Sequence, residues 1–135
     1  MNDNTQPMNE QVNVSLDVVW HGTAGKYDAR MSELSLDGCF IDSMGQEILG
    51  ETISFKVRLT SGHWISLQGE VIYSEFPIGF DVRFANLSPE NRRLITQVIA
   101  ENGGKQAQEL LRQEAEESAR GQTADARRSL VADDD

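Results

Sequence analysis

From Val12 the chain alternates: Val12, Val14, Leu16, Val18 and Trp20 fall on one face, with Asn13, Ser15 and Asp17 on the other. A period of two is the pattern of a half-buried β-strand, because successive side chains leave a strand on opposite faces. His21-Gly22-Thr23-Ala24-Gly25 interrupts it as a loop, and a second extended segment runs from Lys26 to Leu34. Asp37-Gly38 marks a tight turn or bulge before the short apolar run Cys39-Phe40-Ile41. Ile53, Phe55, Val57 and Leu59 alternate with Thr52, Ser54, Lys56 and Arg58, and Ser61-Gly62 reads as a hairpin turn. Ile65, Leu67, Val71 and Tyr73 return along one face, with Gly69 as a candidate bulge. After a turn near Pro77, Phe80, Val82 and Phe84 alternate with Asp81 and Arg83. Six short strands with hairpin-length connections predict a mainly β fold, a six-stranded antiparallel barrel.

The period then switches. Ser88-Pro89-Glu90 combines an N-cap serine, a proline at the first helical position and an early acid. Leu94, Ile95, Val98 and Ile99 follow at helical spacing, so a helix from Pro89 to Asn102 is expected to cap the barrel. Gly103-Gly104 ends it. Residues 103–120 read as a helical extension with a narrow apolar stripe of Ala107, Leu110, Leu111 and Ala115. Residues 121–135 read as a disordered acidic tail, and residues 1–11 as a flexible leader, leaving 12–102 as the barrel domain.

Charge narrows the function classes. The chain carries 22 acidic and 12 basic side chains among its 135 residues, a formal net charge of -10. The acidity is distributed, with -4 in residues 101–135 and -6 before them. A polymer of phosphates needs cations, so nucleic acid is a poor partner for this chain, and an anionic membrane surface is equally unsuited. No apolar stretch approaches the length of a bilayer span, and the polar first residues lack the pattern of a signal peptide. The single cysteine, Cys39, cannot form an internal disulfide, and these features together favour a reducing cytoplasm.

Catalytic chemistry is hard to assemble from this sequence. His21 and His63 sit at turns without a nucleophile partner, Cys39 lies among apolar neighbours, and neither a metal set nor a Gly-rich phosphate loop is evident. No catalytic or metal residue is assigned, and no cofactor is expected. Trp20 follows the core face of its strand, whereas Trp64 falls opposite to Ile65 and Leu67 and is a candidate contact surface. Leu110 and Leu111 are the second candidate: a helix of that length needs a surface to dock on, either a partner or, weakly, a second copy.

Two further segments are informative as a pair. Glu33-Leu34-Ser35-Leu36-Asp37-Gly38 ends the second strand, and Gly79-Phe80-Asp81-Val82-Arg83-Phe84 leads through Leu87-Ser88-Pro89-Glu90 into the helix. Their order, separation and intervening strands resemble the PilZ family, from about Val12 to Ala100. The resemblance implies a PilZ-like barrel with a capping helix, and a place in bacterial cyclic di-GMP signalling. Family members with full motifs bind this dinucleotide through an Arg-x-x-x-Arg segment before the first strand and an Asp/Asn-x-Ser-x-x-Gly segment after the second. Here Met1 to Gln11 contains neither arginine nor lysine, and the similar spacing of Lys26 and Arg30 lies inside the second strand. Ser35 and Gly38 match the second motif, while Glu33 replaces the shorter Asp or Asn.

The resemblance therefore implies an atypical member, with Glu33, Ser35 and Gly38 as a degenerate ligand motif and Arg30 and Arg83 as candidate replacement cations. Arginine-to-phosphate bonds contribute about 1.5–3 kcal/mol each, so losing two weakens binding by orders of magnitude. The expected function is a stand-alone regulatory adaptor in motility, type IV pilus or secretion control. It would act through a protein partner, with weak or lost cyclic di-GMP binding. The alternative is a genuine cyclic di-GMP receptor with a partly altered site.

Overall fold

A computed structural model describes residues 10–134 apart from residues 24 and 46, with side chains placed as far as Ala119. The expectation of a flexible leader falls mostly on residues 1–9, outside the described residues. The strands are β1 (Val12–Gly22), β2 (Gly25–Leu34), β3 (Gly38–Asp42), β4 (Thr52–Arg58), β5 (Trp64–Glu75) and β6 (Gly79–Ala85). Two helices follow, α1 (Pro89–Glu101) and α2 (Lys105–Asp134). All six strands pair antiparallel and close into a barrel in the order β1-β2-β3-β6-β5-β4. Closure comes from β1 against β4, where Val18 faces Val57 and Trp20 faces Phe55.

The inward positions are those of the alternation. Val18, Trp20, Ile53, Phe55, Val57, Ile65, Leu67, Val71, Phe80 and Val82 are buried in one core. Trp20 lies at its centre, stacked on Tyr27 with ring centroids 4.6 Å apart and edge-on to Phe80 at 5.0 Å. Its indole N–H is satisfied, donating to Ser43 Oγ at 3.0 Å. Without that acceptor a buried donor would cost about 1–3 kcal/mol.

The alternation misleads at one place on β5. The alternation puts Tyr73 inward with Val71, yet it is exposed, because the β5–β6 register shifts between Val71 and Tyr73. Ile72 is the extra residue of a bulge, and a bulge moves the residues after it to the other face. Gly69 makes no bulge. It pairs in register with Ile53 and Phe84, and a Cβ there would lie 2.2 Å from Val82 Cγ1. Glycine at this position permits the close approach of β6.

The expected helix start is present: Ser88 Oγ accepts from Asn91 N at 3.0 Å, and Pro89 opens α1. Ile95, Val98 and Ile99 join the barrel core. At the other end Gly103 adopts φ +96°, and Gly104 N donates to Ile99 O at 2.9 Å, the turn that closes many helices. α2 continues to Asp134, through residues 121–134 that the sequence pattern assigns to a disordered tail. Residues 122–134 hold no proline or glycine, so nothing in their backbone chemistry stops a helix already started.

Candidate ligand cleft

A concave surface is built around the turn between β2 and β3. Ser35 Oγ accepts from Asp37 N (3.1 Å) and Gly38 N (3.2 Å), while Ser35 N donates to Gly38 O (2.9 Å). A serine can do this because its short side chain imitates a backbone acceptor. The turn is pinned to β6, since Phe84 N donates to Asp37 O at 2.9 Å and Gly38 pairs with Arg83. A Cβ on Gly38 would lie 2.0 Å from Val82 O, so this contact between backbones requires glycine.

Around the turn lies a cleft of about 610 Å³ whose lining includes Ser35, Asp37, Gly38, Asp81, Arg83, Gln11, Ile72 and Arg92. Ser35, Gly38 and Arg83, three of the expected site residues, are thus brought together. Glu33 is adjacent but engaged, its Oε1 accepting from Gln11 Nε2 at 2.8 Å. Arg30 is elsewhere. Its guanidinium donates to Ser15 Oγ at 2.9 Å and lies 3.6 Å from Asp17, outside the cleft lining. The reason is register: Arg30 pairs with Asp17 and Asp42, three residues before Glu33 on β2.

Sequence reasoning missed Arg92. It stands on the exposed face of α1, where a basic residue reads as ordinary solvation, and only the packing of α1 beside the Ser35 turn turns it toward the cleft. Among the described residues it makes no ion pair within 4.0 Å, whereas Arg83 has a loose one with Glu70 at 3.7 Å. Such exposed pairs are worth ~1 kcal/mol or less, so Arg83 is free to exchange partners.

The cleft is not a cationic bowl. Asp37 and Asp81 line it beside the two arginines. Burial pushes the Asp81 carboxyl above its ordinary range, and the neighbouring charges of Glu33 and Glu75 push it further. Cys39, also in the lining, is buried, and that burial holds its thiol far above the usual range, so no thiolate nucleophile is offered. Among the described residues no His, Cys, Asp and Glu side chains cluster as a metal site, and no helix is long and apolar enough to cross a membrane.

The candidate partner residues Trp64, Leu110 and Leu111 are not among the residues that line the cleft. Trp64 begins β5, opposite Arg58 of β4, and is 43% exposed. Leu110 packs at the edge of the core, and Leu110 and Leu111 line a groove with Leu36, Pro89 and Thr96 between α1 and α2. The apolar stripe of α2 therefore has an internal surface: Ala107 is buried, and Arg93 reaches Glu114 at 3.8 Å.

A family model described as PilZ domain matches residues 7–101. No curated protein matches the chain. Among solved structures, it is similar to the PilZ domain of YcgR from Escherichia coli with c-di-GMP: 15% identity, 82% of this chain and 95% of that one, TM-score 0.57. It is also similar to the PilZ domain of CeSA from a cellulose-synthesizing bacterium, at 12% identity, 67% and 96% coverage and TM-score 0.55. A third is the Bacillus subtilis inhibitor of motility MotI/DgrA, at 14% identity, 72% and 51% coverage and TM-score 0.55. The structural likeness is one of fold, and together with the family match over the whole barrel and α1 it establishes that this chain belongs to the PilZ domain family.

Proposed function

We propose that this chain is a regulatory PilZ domain of cyclic di-GMP-related signalling that acts through protein contacts and holds the dinucleotide weakly. One observation carries the reading. The cleft around Ser35 and Gly38 offers Arg83 and Arg92 but sets Asp37 and Asp81 beside them, and the segment before β1 supplies no cation at all. A dianionic ligand gains from guanidinium groups only what neighbouring carboxylates do not cancel. The nearest leader residue, Gln11, is already bonded to Glu33. The fold's relatives support the signalling context, since YcgR is a c-di-GMP complex and MotI is an inhibitor of motility. A cytoplasmic, non-catalytic role fits the reduced Cys39 and the absence of an activated nucleophile among the described residues.

A second reading has its own observation. Arg83 and Arg92 line the same cleft as Ser35 and Gly38, so they are the groups through which a genuine receptor would hold a phosphate. Titration with labelled cyclic di-GMP at physiological salt decides between them. A dissociation constant of about tens of micromolar or weaker supports the adaptor, and a sub-micromolar one establishes the receptor.

A further inference from the structure

Large apolar side chains are exposed in a concentrated way on this barrel. Met44, Ile48 and Leu49 in the loop between β3 and β4, and Tyr73, Phe76 and Ile78 around the β5–β6 turn, are 52–82% exposed. The two segments form one surface. Ser43 N donates to Ile78 O at 3.2 Å, Gly50 N to Val71 O at 2.7 Å, Val71 N to Glu51 O at 2.9 Å, and Ser74 Oγ to Glu47 Oε2. Single exposed apolar residues need no explanation, but a contiguous group of this kind marks a contact surface. The bulge at Ile72 helps to create it, by turning Tyr73 outward.

The chemistry of the surround selects the occupant. Residues 42–51 and 72–79 contain Asp42, Glu47, Glu51 and Glu75 and not one Lys, Arg or His. Glu47 belongs to the seam itself, Oε1 closed off from solvent and Oε2 accepting from Ser74 Oγ, which leaves Glu75 as the exposed acid of the four. An apolar patch whose own two segments carry acids and no base, with neighbouring Arg30 held by Asp17 and Ser15, repels an anionic membrane and opposes a second copy of itself across a two-fold axis. It matches an apolar stripe flanked by cations. The barrel is closed, so each strand has neighbours on both sides and an added strand has no free edge to pair with.

We infer that this patch docks an amphipathic helix of a partner protein, its apolar face on Leu49, Phe76 and Ile78 and a Lys or Arg flank on the exposed Glu75. The inference rests on the protein-contact reading above and specifies its surface.

The test uses the full chain labelled for amide NMR and two synthetic helical peptides with the same leucine stripe, one flanked by lysines and one by glutamates. The lysine peptide is expected to shift amides of 43–50 and 72–79 saturably, and the glutamate peptide to leave them unmoved. Leu49→Ser with Phe76→Ser weakens binding at least about tenfold, since truncating interface anchors commonly costs that much. Glu75→Lys keeps the apolar area and exchanges the preference toward the glutamate peptide. Shifts centred on Trp64 or on the α1–α2 groove overturn this surface while leaving the protein-contact reading intact. Absence of binding, equal binding of both peptides, binding to phosphatidylglycerol vesicles, or a dimer dissolved by Phe76→Ser each overturns it as well. Sub-micromolar cyclic di-GMP binding sinks the reading beneath it, whatever the peptides do.

Discussion

Glu10 caps helix α2 from the far end of the chain: its carboxylate accepts from Ala107 N at 3.1 Å, across a sequence separation of 97 residues, and from Gln106 N at 3.1 Å. These are first-turn N–H groups, which have no partner inside a helix. A carboxylate there also meets the positive end of the helix dipole. Gly104 makes the approach possible, because a Cβ on it would lie 2.8 Å from Glu10 Oε2 and 2.4 Å from Ile99 Cγ2. The end of the leader, expected to be flexible, is tied down at its last two residues, with Gln11 on Glu33 and Glu10 on α2.

Replacing Glu10 with Ala is accordingly expected to cost ~1 kcal/mol, the usual size of a lost helix cap. Amide exchange at Gln106 and Ala107 should speed up, while exchange in β4 stays as it was. Unchanged exchange at both amides would mean that the cap contributes nothing.

Gly38→Ala should be among the most damaging small substitutions in the barrel. The added methyl falls 2.0 Å from Val82 O, which is backbone and has no rotamer to retreat into. The expected loss is about 3 kcal/mol, at the high end for overpacking. Ser35→Ala, which removes the acceptor for Asp37 N and Gly38 N, should cost nearer 1 kcal/mol. Urea unfolding of the two variants checks the order.

For residual cyclic di-GMP binding, Arg83→Ala and Arg92→Ala are each expected to weaken affinity by roughly tenfold, one charge-assisted bond apiece. Arg30→Ala should have no effect, since its guanidinium is held by Ser15 and Asp17 outside the cleft. Calorimetry on the three variants tests the assignment, and a larger effect from Arg30 than from Arg92 would refute it.

Asp81 sets a pH dependence. Its carboxyl titrates above the ordinary 3.8 in the fold because of burial and the charges of Glu33 and Glu75. The folded chain therefore holds this proton more tightly than the unfolded chain. Through this group, stability is greatest below the ordinary carboxylate range and falls as pH rises through the raised value. Asp81→Asn, neutral at every pH, should stabilise the protein at neutral pH and lose that advantage in acid. Melting temperatures of the two proteins at pH 7 and below pH 4 give the comparison; a stability loss at pH 7 would contradict it.

How much was legible in advance follows from the range of the forces involved. All six strands, the Ser35–Gly38 and Ser61–Gly62 turns and the Ser88 cap are local: each depends on the geometry of a few consecutive residues. Gly62, for example, adopts φ +94° with its N–H on Leu59 O, as a glycine-bearing hairpin turn requires. The sequence alone thus determined the six strands and α1, the burial of Trp20 and the Ser35–Gly38 half of the candidate site. Register and docking were decided only in three dimensions. The bulge that exposes Tyr73 depends on how β5 meets β6, since a one-residue offset changes which face a side chain occupies without changing the local pattern. Arg92 reaches the cleft because α1 packs beside a turn more than fifty residues earlier, and Arg30 misses it because pairing sets it against Asp17. Glu10 meets α2 only after the barrel has closed and α1 has ended at Gly103. Such contacts join distant residues through the packed core, and no periodicity along the chain encodes them.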